Sequence, residues 1–208
     1  MKTILHLCAD TGSDSKPYRD NGYEVILVGS KIGVENYHPP KDVYGVFANP
    51  VCLEFSTARA DGKARNPEKG MELVKECQRI ISECDPVFWV IENPATGALK
   101  EYLGKPSLVY QPWEYGSPWT KKTALWGKFN APPKIYNRWG DVPKIDGLYT
   151  RKNSHNRKVK DPKPSLAFMH KSAAKLIPEF ACFSPESDME FRSLCSQKFA
   201  REFYEVNK

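Results

Sequence analysis

Short, nearly unbroken apolar runs alternate along this chain with stretches in which apolar residues recur every three or four positions. Residues 5–9 read as a first strand, and Asp10 to Ser15 form a small-residue polar turn. A helix from Lys16 to about Asn21 is stopped by Gly22, a residue suited to the left-handed turn that closes a helix. Residues 23–28 are a second strand broken at Gly29, residues 30–42 carry Pro39 and Pro40 with no clear period, and Val43–Ala48 is a third strand. Asn66-Pro67-Glu68 predicts a helix start, with Asn as cap, Pro in the first turn and an acid beside it. Met71, Val74, Cys77, Ile80, Ile81 and Cys84 then carry helical period to about Glu83. Pro86 ends that helix, and residues 87–91 are an unbroken apolar strand of the kind buried inside a parallel sheet. A short helix over residues 97–103 and a strand over 107–111 follow. Residues 130–164 are rich in Pro, Lys and Asn. From about Ser187 to Val206 one amphipathic helix places Phe191, Leu194, Cys195, Phe199 and Phe203 on a single face.

Strands alternating with helices predict an α/β sandwich with a mostly parallel sheet. In such sheets ligands bind beyond the carboxyl ends of the strands. Those ends are residues 10–15, 29–33, 49–56 and 92–97, and the chemistry is expected there.

Composition changes the picture little. The chain has 208 residues, 40% hydrophobic and 27% charged, which fits one globular domain. No apolar run approaches the roughly 18 residues needed to span a bilayer. The first run, Ile4 to Ala9, is too short for a secretory signal. Secretion and membrane insertion are therefore excluded as expectations, and a cytoplasmic protein is expected. The six cysteines show no Cys-x-x-Cys pair and no metal-like spacing to the four histidines, so all six read as reduced thiols and no metal is expected.

Charge matters by its location. The net charge is +6, yet residues 131–175 hold eleven Lys or Arg against three Asp, which leaves the rest of the chain net acidic. Arg151, Lys152, Arg157, Lys158 and Lys160 form the densest part. This run reads either as a solvated loop or as a phosphate-contacting one beside Tyr136, Trp139 and Tyr149.

Three strand ends carry candidate chemistry. Asp10-Thr11-Gly12-Ser13 is a small-residue turn through which backbone N–H groups can approach a nucleotide-like cofactor. Asn49-Pro50-Val51-Cys52 puts a thiol on a proline-stiffened loop, either as a nucleophile or as a buried structural cysteine. Ile91-Glu92-Asn93-Pro94 ends the most hydrophobic strand with a carboxylate, either a working group or an exposed loop acid.

Taken together and in this order, the small loop, the Pro-x-Cys loop and the Glu-Asn-Pro loop resemble the DNA cytosine-5 methyltransferases, most nearly the short, phage-type members. Tyr115-Gly116-Ser117-Pro118, followed by Lys121, Thr123, Leu125 and Trp126, is similar to a later motif of that family. The likeness covers about residues 3–130, with a fainter echo at 172–180. It implies a Rossmann-like class I methyltransferase sandwich with a small basic C-terminal extension. Residues 1–130 would be the catalytic core dependent on S-adenosylmethionine. Residues 131–208 would be a short DNA-contacting segment followed by a C-terminal helix that returns to the core.

By position, the resemblance makes Cys52 the nucleophile that adds to cytosine C6, with Glu92 contacting N3 and the exocyclic amine. Lys121 would support the adduct or contact phosphate. Cys8, Ala9, Asp10, Thr11 and Gly12, with Ser30, Glu35, Asn49 and Pro50, would surround S-adenosylmethionine. Arg151, Lys152, Arg157, Lys158 and Lys160 would grip DNA, and the base would be flipped out of its stack.

The chain departs from the family in places. Asp10 stands where a glycine is usual, and Gly29 replaces the acid expected after the second strand. Val51 replaces a proline, and Trp119 and Thr123 replace a glutamine and an arginine. About 40 residues stand where the family carries a large recognition domain, so short or relaxed specificity, a protein partner or a second copy of the chain is expected. Three other readings stay open. Asn49-Pro50 also resembles the loop of amino-group methyltransferases, although Cys52 takes the place of their stacking aromatic. The donor is altered in a second reading. In a third, an impaired relative binds DNA or protein as a counter-defence factor.

Overall fold

The computed structural model describes residues 1–56, 64–148 and 163–208. Six strands form one sheet in the order β2-β1-β3-β4-β6-β5. They are β1 (Thr3–Leu7), β2 (Glu24–Val28), β3 (Val43–Ala48), β4 (Phe88–Pro94), β5 (Leu108–Tyr110) and β6 (Thr123–Lys128). The first four are mutually parallel, and β6 runs antiparallel to both β4 and β5. The chain is thus a Rossmann-like α/β sandwich whose sheet is mostly parallel, with one reversed strand, β6, set between β4 and the edge strand β5.

Alternation along the strands sorts side chains onto two faces. Leu5, Leu7, Val46, Ala48 and Ile91 meet Val74, Cys77, Ile80 and Ile81 of α2 (Pro67–Cys84) on one face. That helix starts as its sequence predicts, with the Asn66 side chain accepting from the Lys69 N–H at 3.1 Å. On the other face Ile4, Phe47, Phe88 and Val90 meet Tyr18 of α1 (Lys16–Asp20) and Phe199, Phe203 and Tyr204 of α5 (Gln197–Asn207). Tyr18 and Tyr204 meet edge-on at 4.9 Å, joining the two helices. A third cluster gathers Trp119, Leu166, Ile177, Phe180, Phe191 and Leu194 into a small lobe of short turns. Trp119, one of the departures from the family pattern, is the fully buried anchor of that lobe.

Two element assignments need correction. The expected single tail helix is two helices, α4 (Asp188–Ser193) and α5, separated by extended backbone at Leu194. Ser187 caps the first, and Ser196 caps the second by accepting from the Phe199 N–H at 3.1 Å. Phe191 and Leu194 serve the small lobe whereas Phe199 and Phe203 serve the sheet, so the apparent single face is divided between two cores. The second correction concerns Glu92-Asn93-Pro94, expected to lie beyond its strand. These residues are inside β4, because β6 continues to pair there after β3 has ended: Glu92 faces Leu125, and Pro94 faces Thr123. The helix expected over 97–103 is the four-residue α3 (Lys100–Leu103).

Candidate active site

The parallel register dictates which residues meet at the carboxyl edge of the sheet. His6 is opposite Phe47 and Phe47 is opposite Val90, so two positions further along Asn49 and Glu92 fall on the same face as His6. Their side chains connect. The Asn49 Nδ2 donates to Glu92 Oε2 at 3.4 Å, and Asn49 Oδ1 lies 2.8 Å from His6 Nε2. His6 Nδ1 in turn lies 2.8 Å from the hydroxyl of Ser15, the residue that precedes α1. Asp14 stands beside this chain, 3.9 Å from His6 Nε2.

Cys52 opens a single tight turn directly after β3. Its carbonyl accepts from the Phe55 and Ser56 N–H groups at 2.9 and 2.8 Å, which holds the turn closed. The loop is tied to β4 by the Asn93 Nδ2, which donates to the Pro50 carbonyl at 2.9 Å. Glu92 therefore lies on β4 beside the residue that fastens the Cys52 loop to that strand. Burial pushes the Glu92 carboxyl above its usual range; the Lys121 charge opposes this and the Asp14 charge adds to it. Burial also pushes the Cys52 thiol up, reinforced by the Glu92 charge and opposed by Lys121. Cys52, Glu92 and Lys121 thus share one electrostatic neighbourhood. The Lys121 ammonium itself donates to the carbonyls of Ser193 and Leu194 at 2.9 and 3.1 Å, bracing the junction of α4 and α5 against the site.

The residues expected around a cofactor fall at the adjoining strand ends. Cys8 leaves β1 with φ 55° and Gly12 has φ 64°, so the loop from Cys8 through Ala9, Asp10 and Thr11 to Gly12 turns sharply over the edge. Asp10 Oδ1 accepts from the Ser30 N–H at 2.9 Å and from the Ser30 hydroxyl at 3.2 Å, bridging the ends of β1 and β2. Glu35 is exposed and folds back over Gly33, where an added Cβ would stand 2.7 Å from its carboxylate. Pro50 is buried, and Asn49 is directed toward Glu92 and His6. Cys8 Sγ lies 3.7 Å from Cys77 Sγ of α2, and both are free thiols, as are the other four cysteines. The basic residues Arg151, Lys152, Arg157, Lys158 and Lys160 lie outside the described residues.

Three residues of the site were absent from the expectation. His6 reaches Glu92 through Asn49, the Asp14 charge acts on both, and Asn93 fastens the Cys52 loop. The available signal for His6 was its place as the polar residue in an otherwise apolar first strand, at the same alternation as Asn49 and Glu92. Among the described residues, no group of three or more His, Cys, Asp or Glu is placed to hold a metal ion, and no helix is long and apolar enough to cross a membrane. An open cleft of about 610 Å³ lies at the opposite end of the sheet, between Lys2, Asp42, Tyr44 and Asp85.

Fold and site together define a Rossmann-like α/β protein with a thiol, a half-buried carboxyl and an ammonium group at the carboxyl edge of its parallel strands. In sequence the chain is similar to a protein of Frog virus 3 (isolate Goorha) described as a probable DNA (cytosine-5)-methyltransferase. The two are 31% identical over 104 residues, covering 42% of this chain and 47% of the relative. A solved structure to which it is similar is described provisionally as a DNA modification methyltransferase encoded within a prophage (E. coli). That match has a TM-score of 0.44 and 14% identity, covering 62% of this chain and 47% of the other. No family model matches the chain. The chain spans about half the length of each of these two relatives. The sequence similarity bears out the resemblance to the DNA (cytosine-5)-methyltransferases.

Proposed function

We propose that this chain methylates cytosine in DNA at C5, with Cys52 as the nucleophile and Glu92 as its acid partner. The observation that carries this reading is that the Cys52 loop is fastened by Asn93 to β4 next to Glu92, with the Glu92 charge acting on the Cys52 thiol. Cytosine C5 is a poor nucleophile. Addition of the Cys52 thiolate to C6 makes C5 electron-rich, and negative charge builds on the ring as the bond forms. Burial raises the affinity of the Glu92 carboxyl for a proton, which it can share with N3 as that charge develops. The Lys121 ammonium favours the thiolate at Cys52. Expulsion of Cys52 after loss of the C5 proton restores the ring.

S-adenosylmethionine, when bound, supplies the methyl group. The residues present fit it in one specific respect. Asp10 presents an exposed carboxylate whose Oδ1 is taken by Ser30, while Oδ2 has no hydrogen-bond partner among the described residues. An acid at the ends of β1 and β2 suits a ribose diol, and Cys8, Ala9, Thr11 and Gly12 would bring backbone close to the rest of the molecule. This also supports an active enzyme over an impaired relative, because the acid missing after the second strand is replaced from the first loop. The flipped base, and DNA contacts through Arg151, Lys152, Arg157, Lys158 and Lys160, belong to the same proposal.

The test is nucleoside mass spectrometry on DNA from cells expressing the wild type, Cys52→Ala and Glu92→Gln. Methylcytosine with the wild type, none with Cys52→Ala and a strong reduction with Glu92→Gln are expected. A heavier cytosine adduct would transfer the reading to another donor. Unmodified DNA from soluble wild type would leave DNA or protein binding as the function.

A further inference from the structure

We propose that His6 is a positioning residue for Glu92: as a neutral imidazole carrying its proton on Nε2, it holds the Asn49 side-chain oxygen so that the Asn49 amide N–H is aimed at the Glu92 carboxylate. The proposal rests on the reading of Glu92 as the group that meets the base. The geometry leads to it from the carboxylate inward. The Asn49 group 3.4 Å from Glu92 Oε2 is the amide nitrogen, which donates to that oxygen. The Asn49 oxygen then faces His6 Nε2 at 2.8 Å and requires a donor there. With the proton on Nε2, Nδ1 is an acceptor, and the Ser15 hydroxyl, 2.8 Å from Nδ1 and 3.3 Å from the Gly12 carbonyl, gives its one proton to the nearer acceptor. In this direction each of the three contacts along Ser15–His6–Asn49–Glu92 pairs a donor with an acceptor.

The surroundings favour the neutral ring. His6 is fully buried on β1, with Phe47 of β3 5.6 Å away ring to ring. The groups that face it are Ser15, Asn49 and, at 3.9 Å, Asp14, whose charge favours protonation against the larger effect of burial. A neutral histidine in this place has one donor to give, and it gives it to Asn49. Without that bond the amide is free to rotate, and Glu92 loses the hydrogen bond that stabilises its charged form. His6 touches neither base nor donor in this arrangement and acts only through Asn49.

The experiment reads Glu92 and His6 directly by NMR, with the carboxyl carbon assigned through Glu92→Gln. In the wild type at pH 7 the imidazole nitrogens should report a neutral ring with its proton on Nε2; a proton on Nδ1 overturns the proposal. His6→Leu should move the Glu92 titration midpoint upward and carry the acidic limb of the kcat/KM profile with it. His6→Gln, which keeps a side-chain N–H donor, should restore both toward wild type. An unchanged Glu92 midpoint in folded His6→Leu overturns the proposal even where methylation is observed. If His6→Leu does not fold, Ser15→Ala takes its place, since it removes the donor to Nδ1 and should raise the same midpoint. Wild-type protein with the expected tautomer and Glu92 shift but no methylation would sink the enzymatic reading and leave the positioning intact.

Discussion

The carboxylate of Asp10 occupies the space into which a side chain at position 29 would grow. A Cβ added to Gly29 would stand 2.1 Å from Asp10 Oδ1 and 2.8 Å from the Ala9 carbonyl oxygen. Two sequence departures, an acid where a glycine is usual and a glycine where an acid is usual, therefore meet in space. The acid still reaches the end of β2, but it comes from β1 and is held there by Ser30.

This exchange separates two effects by mutation. Gly29→Ala forces Asp10 and the Ala9 backbone apart, and overpacking of this kind costs about 1–3 kcal/mol. Thermal unfolding should show it directly. Asp10→Asn retains an oxygen for Ser30 and should leave stability within about 0.5 kcal/mol. It removes the charge offered to a ribose diol, and a hydrogen bond to a charged group is worth roughly 1.5–3 kcal/mol. Calorimetric titration with S-adenosylmethionine should then show at least a tenfold loss of affinity, roughly what 1.4 kcal/mol produces. Unchanged binding would remove Asp10 from the cofactor site.

The thiol at Cys52 offers a reading of the site that needs no turnover. Its pKa is raised by burial and by the Glu92 charge, and lowered by Lys121. Alkylation proceeds through the thiolate. Glu92→Gln should therefore speed iodoacetamide labelling of Cys52 at fixed pH, and Lys121→Gln should slow it. Cys182, which is exposed, should label first, and the buried Cys77 and Cys195 last. Peptide mass spectrometry over a time course resolves all four. Equal Cys52 rates in the two variants would mean that the three groups do not share a site.

Much of this arrangement was legible in the residues. Val43–Ala48 and the Asn66-capped α2 follow from alternation and capping, and Cys52 and Glu92 were placed at the ends of neighbouring parallel strands, of which Glu92 lies within β4. The positions that escaped are those decided by tertiary pairing. Glu92 lies inside β4 because β6 outlasts β3 along it, and nothing local to Glu92 announces an antiparallel neighbour 33 residues away. His6 resembles a tolerated polar residue in an apolar run until the register sets it beside Asn49. The division of the tail escaped because residues at helical spacing look the same whether they face one core or two.

Glu92 makes stability depend on pH with a definite sign. Its folded pKa is raised, so between the ordinary glutamate range and that higher value the folded protein binds more protons than the unfolded chain. Stability consequently falls as pH rises through this window. Glu92→Gln places no charge at this half-buried position. It should be more thermally stable than the wild type at pH 7–8, with the difference shrinking as pH drops below the glutamate range. Differential scanning fluorimetry of both proteins across pH 4–8 checks this. The comparison is needed because buried, neutral His6 works in the opposite direction: its lowered pKa makes acid destabilising in both proteins alike.

The break between α4 and α5 is held by Ser196, and its loss should be felt throughout the site. Ser196 accepts from the Phe199 N–H at 3.1 Å, and its hydroxyl lies 2.6 Å from that of Ser117. Ser117 also donates to Glu179 at 2.8 Å, and Glu179 in turn accepts from the Gln197 N–H at 2.7 Å. One buried cluster thus fixes the start of α5 against both the small lobe and the sheet. Ser196→Ala removes a helix cap worth about 1 kcal/mol. For a chain of this length that lowers Tm by roughly 2–4 °C. Lys121 is anchored on the carbonyls of Ser193 and Leu194 just before this cap, so loosening the junction should also release its ammonium. Slower alkylation of Cys52 in Ser196→Ala, at a temperature where the variant stays folded, would reveal that coupling. A lowered Tm with Cys52 labelling unchanged would show that the cap serves stability alone.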